Sequence, residues 1–204
     1  MADHFCHNKC DDLALLAKNQ KKVLWIVLLI NAAMFFIEYL YGLLSHSKAL
    51  MADSLDMLAD ALAYSTSLYV LSMSIKAKVR ASQFKALLMI VLGFSVLTKA
   101  IMSFVSYTVP MAETMTIIGG LALAANSYCL YLLSKHKNDD INFTSVWICS
   151  RNDIIANVAV LISAGLVFYF NSPYPDLLVA LGITFLFLRS AIGILRESFR
   201  AEKI

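Results

Sequence analysis

Charge is what this chain is short of. Only 15% of its 204 residues are Asp, Glu, Lys or Arg, 60% are hydrophobic, and mean hydropathy is +0.71. A soluble domain is nearer ~25% charged and ~45–50% apolar, so the composition implies an integral membrane protein. No basic run alternates with aromatics and the net charge is only +3, which argues against nucleic acid as a partner. The four cysteines, Cys6, Cys10, Cys129 and Cys149, are scattered and one at least falls at membrane depth, so they do not read as a disulfide framework. No apolar core with a small-residue cleavage site precedes the first apolar segment, so a cleaved signal peptide is not expected.

Long apolar runs are present in their place. Runs of ~20 residues are the helical signature, distinct from that of a membrane β-barrel. Six spans are expected, near Val23–Leu44, Ala49–Ile75, Phe84–Ser106, Met111–Leu133, Ser145–Phe170 and Leu177–Leu195. The fold class is therefore all-α, a polytopic six-helix membrane protein. Its expected parts are a cytoplasmic tail over 1–22, a transport domain over 23–195 and a short cytoplasmic tail over 196–204. Lys and Arg number four, four, two and three in the amino-terminal tail, links two–three and four–five, and the carboxyl tail, whereas the opposite loops hold only Lys48. By the positive-inside rule both termini face the cytoplasm, in a cell inner membrane. Three spans are an odd number, so the halves would run in opposite senses, an inverted 3+3 arrangement.

Charge reappears where it is costly. Asp53, Asp56 and Asp60 lie inside the second span, and a charge at mid-bilayer costs about 2.5–3.5 kcal/mol or more. Their i, i+3, i+7 spacing puts all three on one helix face. Like charges stacked there require a cation: a metal ion, protons or a basic side chain. The fifth span carries a second polar cluster of Cys149, Arg151, Asn152, Asp153 and Asn157. Asp56/Asp60 and Cys149/Asp153 are each i, i+4 pairs. On facing helices they would supply four ligands, the coordination number of tetrahedral zinc. Carboxylates alone suit magnesium, calcium or manganese; a thiolate shifts the preference toward zinc and, by softness, cadmium. Cobalt, nickel and ferrous iron stay open. Metal binding releases protons from such ligands and protonation releases metal, the basis of metal/proton antiport. Asp53, Asn157, Glu38 and Arg151 are accessory candidates, with Arg151 expected to pair with Glu38. Lys99 is expected to snorkel, Asn126 to bond a neighbouring helix, and Gly119-Gly120 to allow close helix approach. In the amino-terminal tail His4, Cys6, His7 and Cys10 fall in a seven-residue window that suits metal capture; an incidental polar tail is the alternative.

These residues carry a resemblance. Asn31, Glu38, Gly42, Ser47-Lys48-Ala49-Leu50, Ala52-Asp53-Ser54 and Asp56-x-x-x-Asp60 follow one another in the order seen in the cation diffusion facilitators. Cys149-x-x-x-Asp153 stands where that family has His-x-x-x-Asp, followed by Asn157-Val158-Ala159-Val160. Trp147, Ser150-Arg151-Asn152 and Pro175-Asp176 are similar to one subgroup. The resemblance runs from Asn31 to Glu197. It implies an exporter of divalent metal driven by proton entry, with transport ligands at Asp56, Asp60, Cys149 and Asp153 and a homodimer formed through the helices. Metal and protons would be substrates, lipid the surroundings, and no cofactor would be permanently bound. Two departures stand out: Cys149 where His or Asp is usual, and a chain stopping at Ile204 where family members commonly continue into a cytoplasmic metal-binding domain.

Rival classes lack their signatures. An intramembrane lipid phosphotransferase would need an Asp-Gly and Ala-Arg pattern before Asp56, and a metalloprotease would need His-Glu-x-x-His; neither is present. A non-transporting membrane metal sensor or assembly subunit is the remaining alternative.

Overall fold

A computed structural model describes the backbone at residues 2–69, 75–135 and 141–201. Side chains are described from Lys21 onward, apart from 66–67, 69, 75–79, 81–82, 85, 141–150, 152, 197–198 and 200–201. The described residues form six helices: α1 (Ala2–Leu44), α2 (Lys48–Tyr69), α3 (Ile75–Ser106), α4 (Ala112–Ser134), α5 (Ile141–Phe170) and α6 (Tyr174–Ala201). Among the described residues there is no strand. In lipid a backbone must satisfy its own hydrogen bonds, and a helix does so within one segment.

Among the described residues five stretches are long and apolar enough to cross a membrane: Lys21–Leu44, Ala86–Ser106, Ala112–Ser134, Asp153–Phe170 and Tyr174–Arg196. The helices extend past the apolar boundaries. Thus Lys76, Lys78, Arg80 and Lys85, expected in a link, stand in the first turns of α3. The exception is α2, which carries three aspartates and is not among the five. Its position compensates. Ala49 through Leu55 is a run of seven buried residues, and a helix buried on every side is one enclosed by its neighbours. α2 packs against α1, α6, α3 and α5. Asp53 is thus surrounded by protein and Asp56 and Asp60 are half-buried, while Leu29, Phe36, Val105, Ile117 and Phe168 on the other helices face outward.

The pairing follows the inverted arrangement. α1 packs most extensively on α2 and α4 on α5, the corresponding pair of the other half, while α3 packs on α6 across the halves. Each of α1, α3 and α5 is followed within two residues by one with positive φ: His46 at 59°, Tyr107 at 44° and Asn171 at 46°. Gly42 is required by the α1–α2 contact, because a Cβ there would meet Met51 Cγ at 2.8 Å and its backbone nitrogen at 3.0 Å. Of the expected Gly119-Gly120 pair, Gly119 packs on α5, where a Cβ would lie 3.3 Å from Leu161. Gly120 faces open space and has nothing within 4 Å.

Candidate metal centre

The N-terminus of α2 is set by a residue far away in sequence. Ser47 caps the helix, its Oγ accepting the Leu50 N–H at 3.1 Å. The Asp176 carboxylate at the start of α6 accepts the Ser47 hydroxyl at 2.6 Å and the N–H groups of Lys48 at 2.7 Å and Ala49 at 3.1 Å. Between them Asp176 and Ser47 satisfy three N–H groups that a helix leaves without partners, and the carboxylate meets the positive end of the helix dipole. The register of the acidic face beyond is thereby tied to α6.

Asp53 comes first along that face. It is 1% exposed, and its Oδ2 accepts Asn157 Nδ2 at 2.6 Å. Asn157 Oδ1 in turn accepts Asn126 Nδ2 at 2.9 Å. This buried chain joins α4, α5 and α2. Asn126 is the interhelical bond expected of it, and Asn157 bonds both α4 and α2. Asp53 finds an amide where a base was one expectation.

Beyond Asp53 lies a cavity of about 640 Å³ whose wall includes Asp56 and Asp60 from α2 and Asp153 from α5. Met89 of α3 and Ile183 and Phe187 of α6 give it an apolar side. The carboxyls of Asp60 and Asp153 come within hydrogen-bonding reach of each other, and Asp56 and Asp53 also act on Asp153 electrostatically. Asp60 Oδ2 further accepts the hydroxyl of Tyr64 at 2.8 Å. Tyr64 is 1% exposed and packs with Val27, Cys129 and Leu133. Its i+4 relation to Asp60 is the local signal by which the sequence could have assigned it. Three of the four expected ligands therefore share one cavity. Among the described residues no three His, Cys, Asp or Glu side chains are gathered closely enough to hold an ion together. The fourth expected ligand, Cys149, has its side chain outside the described residues, as do His4, Cys6, His7 and Cys10 of the tail.

The expected Glu38–Arg151 pair does not form. Glu38 is 0% exposed, and among the described residues both its carboxylate oxygens lack a hydrogen-bond partner. Arg151 is exposed and makes its interactions elsewhere. Helical rotation carries Arg151 away from the face holding Asp153 and Asn157, so it turns out of the bundle that encloses Glu38. Lys99 stays half-buried, its Nζ 6.0 Å from the centre of the Tyr39 ring.

Comparison with known proteins adds two findings. A family model of the cation efflux transmembrane domain matches residues 24–201. The chain is 26% identical to the zinc transporter ZitB of Yersinia pestis over 194 residues, 89% of this chain and 62% of that protein. It is 27% identical to ZitB of Pectobacterium atrosepticum over 88% of this chain and 60% of that one. The cadmium, cobalt and zinc/H(+)-K(+) antiporter of Bacillus subtilis is 21% identical over 87% and 62% of the two. The chain thus spans about three-fifths of the length of the relatives it matches.

Proposed function

The chain belongs to the cation efflux family, and from that premise we propose that it carries divalent metal out of the cytoplasm in exchange for protons. Zinc and cadmium are the substrates best matched to three carboxylates and a thiolate. The proposed ligands are Asp56 and Asp60 of α2 with Cys149 and Asp153 of α5. The observation that carries this reading is the cavity wall that Asp56, Asp60 and Asp153 share from two helices. Carboxylates so placed bind a metal ion only when deprotonated, and each proton they take up expels it. A site that exchanges one for the other in turn is an antiporter site. Both termini lie in the cytoplasm of a cell inner membrane, as the Lys and Arg distribution suggests, and a homodimer forms through the helices.

Relatives named as zinc transporters and as a cadmium, cobalt and zinc antiporter support the substrate class. The Asp60–Asp153 contact supports the α2–α5 pairing. The test is flux. Full-length protein in acid-loaded proteoliposomes should take up zinc and cadmium when the outside is made alkaline. Asp56→Ala, Asp60→Ala and Asp153→Ala should abolish that uptake while remaining folded. Absence of zinc and cadmium flux through the wild type would return the chain to the sensor or subunit class.

A further inference from the structure

One buried charge has no place in the metal route. Glu38 lies on α1, and the cavity wall takes its residues from α2, α3, α5 and α6. Glu38 is six residues from the end of α1 and Asp53 five from the start of α2. At 1.5 Å per residue these are about 9 Å and about 8 Å in. Glu38 is therefore at about the depth of Asp53, and it is not among the residues that line the cavity with Asp56 and Asp60.

Among the described residues its surroundings offer no counterion. The charged groups acting on it are all acids: Asp53 and Asp56 from α2 and Asp153 from α5. α4, also packed on α1, contributes Cys129 as its buried titratable side chain, with Glu113 and Lys135 exposed near its ends. Lys99 of α3 has its Nζ 6.0 Å from the centre of the Tyr39 ring and is not among the groups acting on Glu38. Seven residues earlier on the same face of α1, Asn31 donates to the Val27 carbonyl at 2.9 Å and leaves its own Oδ1 buried and unpartnered. Among the described residues, no donor reaches the buried acceptors on this part of α1, Asn31 Oδ1 and the Glu38 carboxylate. An unpaired buried carboxylate is too costly to persist. A metal ion would need several ligands. A proton needs one oxygen.

The geometry points to Glu38 as a proton-binding site of the exchange, distinct from the carboxylates that hold the metal. One proton adds to a carboxylate oxygen of Glu38, forming a single O–H bond, and leaves from that oxygen in the opposite half of the cycle. Its electrostatic link to Asp53, Asp56 and Asp153 couples the two sites: divalent charge arriving at the aspartates eases ionisation of Glu38, and its departure favours the proton's return. This inference rests on the antiport reading above, so the test must separate the two.

The experiment compares two modes in proteoliposomes holding the full chain. The first is zinc uptake driven by an acid interior. The second is zinc counterflow, the exchange of labelled for unlabelled zinc with no pH gradient. Glu38→Gln should lose the stimulation by the pH gradient and keep counterflow. If it retains gradient-driven uptake like the wild type, or loses both modes together, the inference is overturned. Should Glu38→Gln not accumulate as folded protein, Glu38→Asp carries the test. It should keep counterflow and shift the pH dependence of uptake; an unshifted profile overturns the inference. A wild type without counterflow would instead refute the transport reading.

Discussion

The Asp176 carboxylate accepts the Ser47 hydroxyl at 2.6 Å across 129 residues of chain. One oxygen pair thereby fastens the loop between α1 and α2 to the start of α6, and it does so beside the helix that carries all three acids of the cluster. Replacing Asp176 with Ala leaves the Lys48 and Ala49 N–H groups and the Ser47 hydroxyl without their partner. Hydrogen bonds to a charged group contribute about 1.5–3 kcal/mol. Asp176→Ala should lower the thermal midpoint of the detergent-solubilised protein clearly, and Ser47→Ala less. An unchanged midpoint would mean that the clasp adds nothing to stability.

The Asn126–Asn157–Asp53 chain should behave as one unit. Asn157→Ala strips Asp53 of its donor and Asn126 of its acceptor, so Asn126→Ala should cost much less when Asn157 is already Ala. Residues sharing a network show coupling of about 0.5–3 kcal/mol. Denaturation of the two single variants and the double variant measures it; additive losses would show the two amides to be independent.

Two glycines on different helices should respond in opposite ways. Gly42→Ala places a methyl 2.8 Å from Met51 Cγ and 3.0 Å from its backbone nitrogen. The backbone cannot retreat, and overpacking typically costs about 1–3 kcal/mol. Gly120→Ala meets nothing within 4 Å and should be neutral or slightly stabilising, since Ala is the better helix former. Thermal midpoints of the two variants decide it; equal losses would contradict the α1–α2 contact described above.

Selectivity should follow the sulfur at position 149. Cys149→His should keep zinc resistance in a metal-sensitive host and weaken cadmium resistance, because imidazole suits zinc and loses the soft partner cadmium prefers. Cadmium resistance at the wild-type level would remove Cys149 from the ligand set. Asp153→Ala in the same assay should lose resistance to both metals.

The six helices were legible in residue order because lipid permits few alternatives to a helix and demands about 20 apolar residues per crossing. The acidic face of α2 was legible too, because 3.6 residues per turn places Asp53, Asp56 and Asp60 on one side whatever surrounds them. Asn126 and Asn157 both declared themselves as polar residues in hydrocarbon, although not as partners of each other. What residue order left undecided is which groups pair across helices. Asp176 caps a helix 127–129 positions away, Asp53 takes an amide in place of a base, and Glu38 and Arg151 turn apart. Such pairings depend on how helices rotate and pack against one another, and a few degrees of rotation at a close contact like Gly42–Met51 redirects every side chain beyond it. Local periodicity states which face a residue occupies; only the packed bundle states what that face meets.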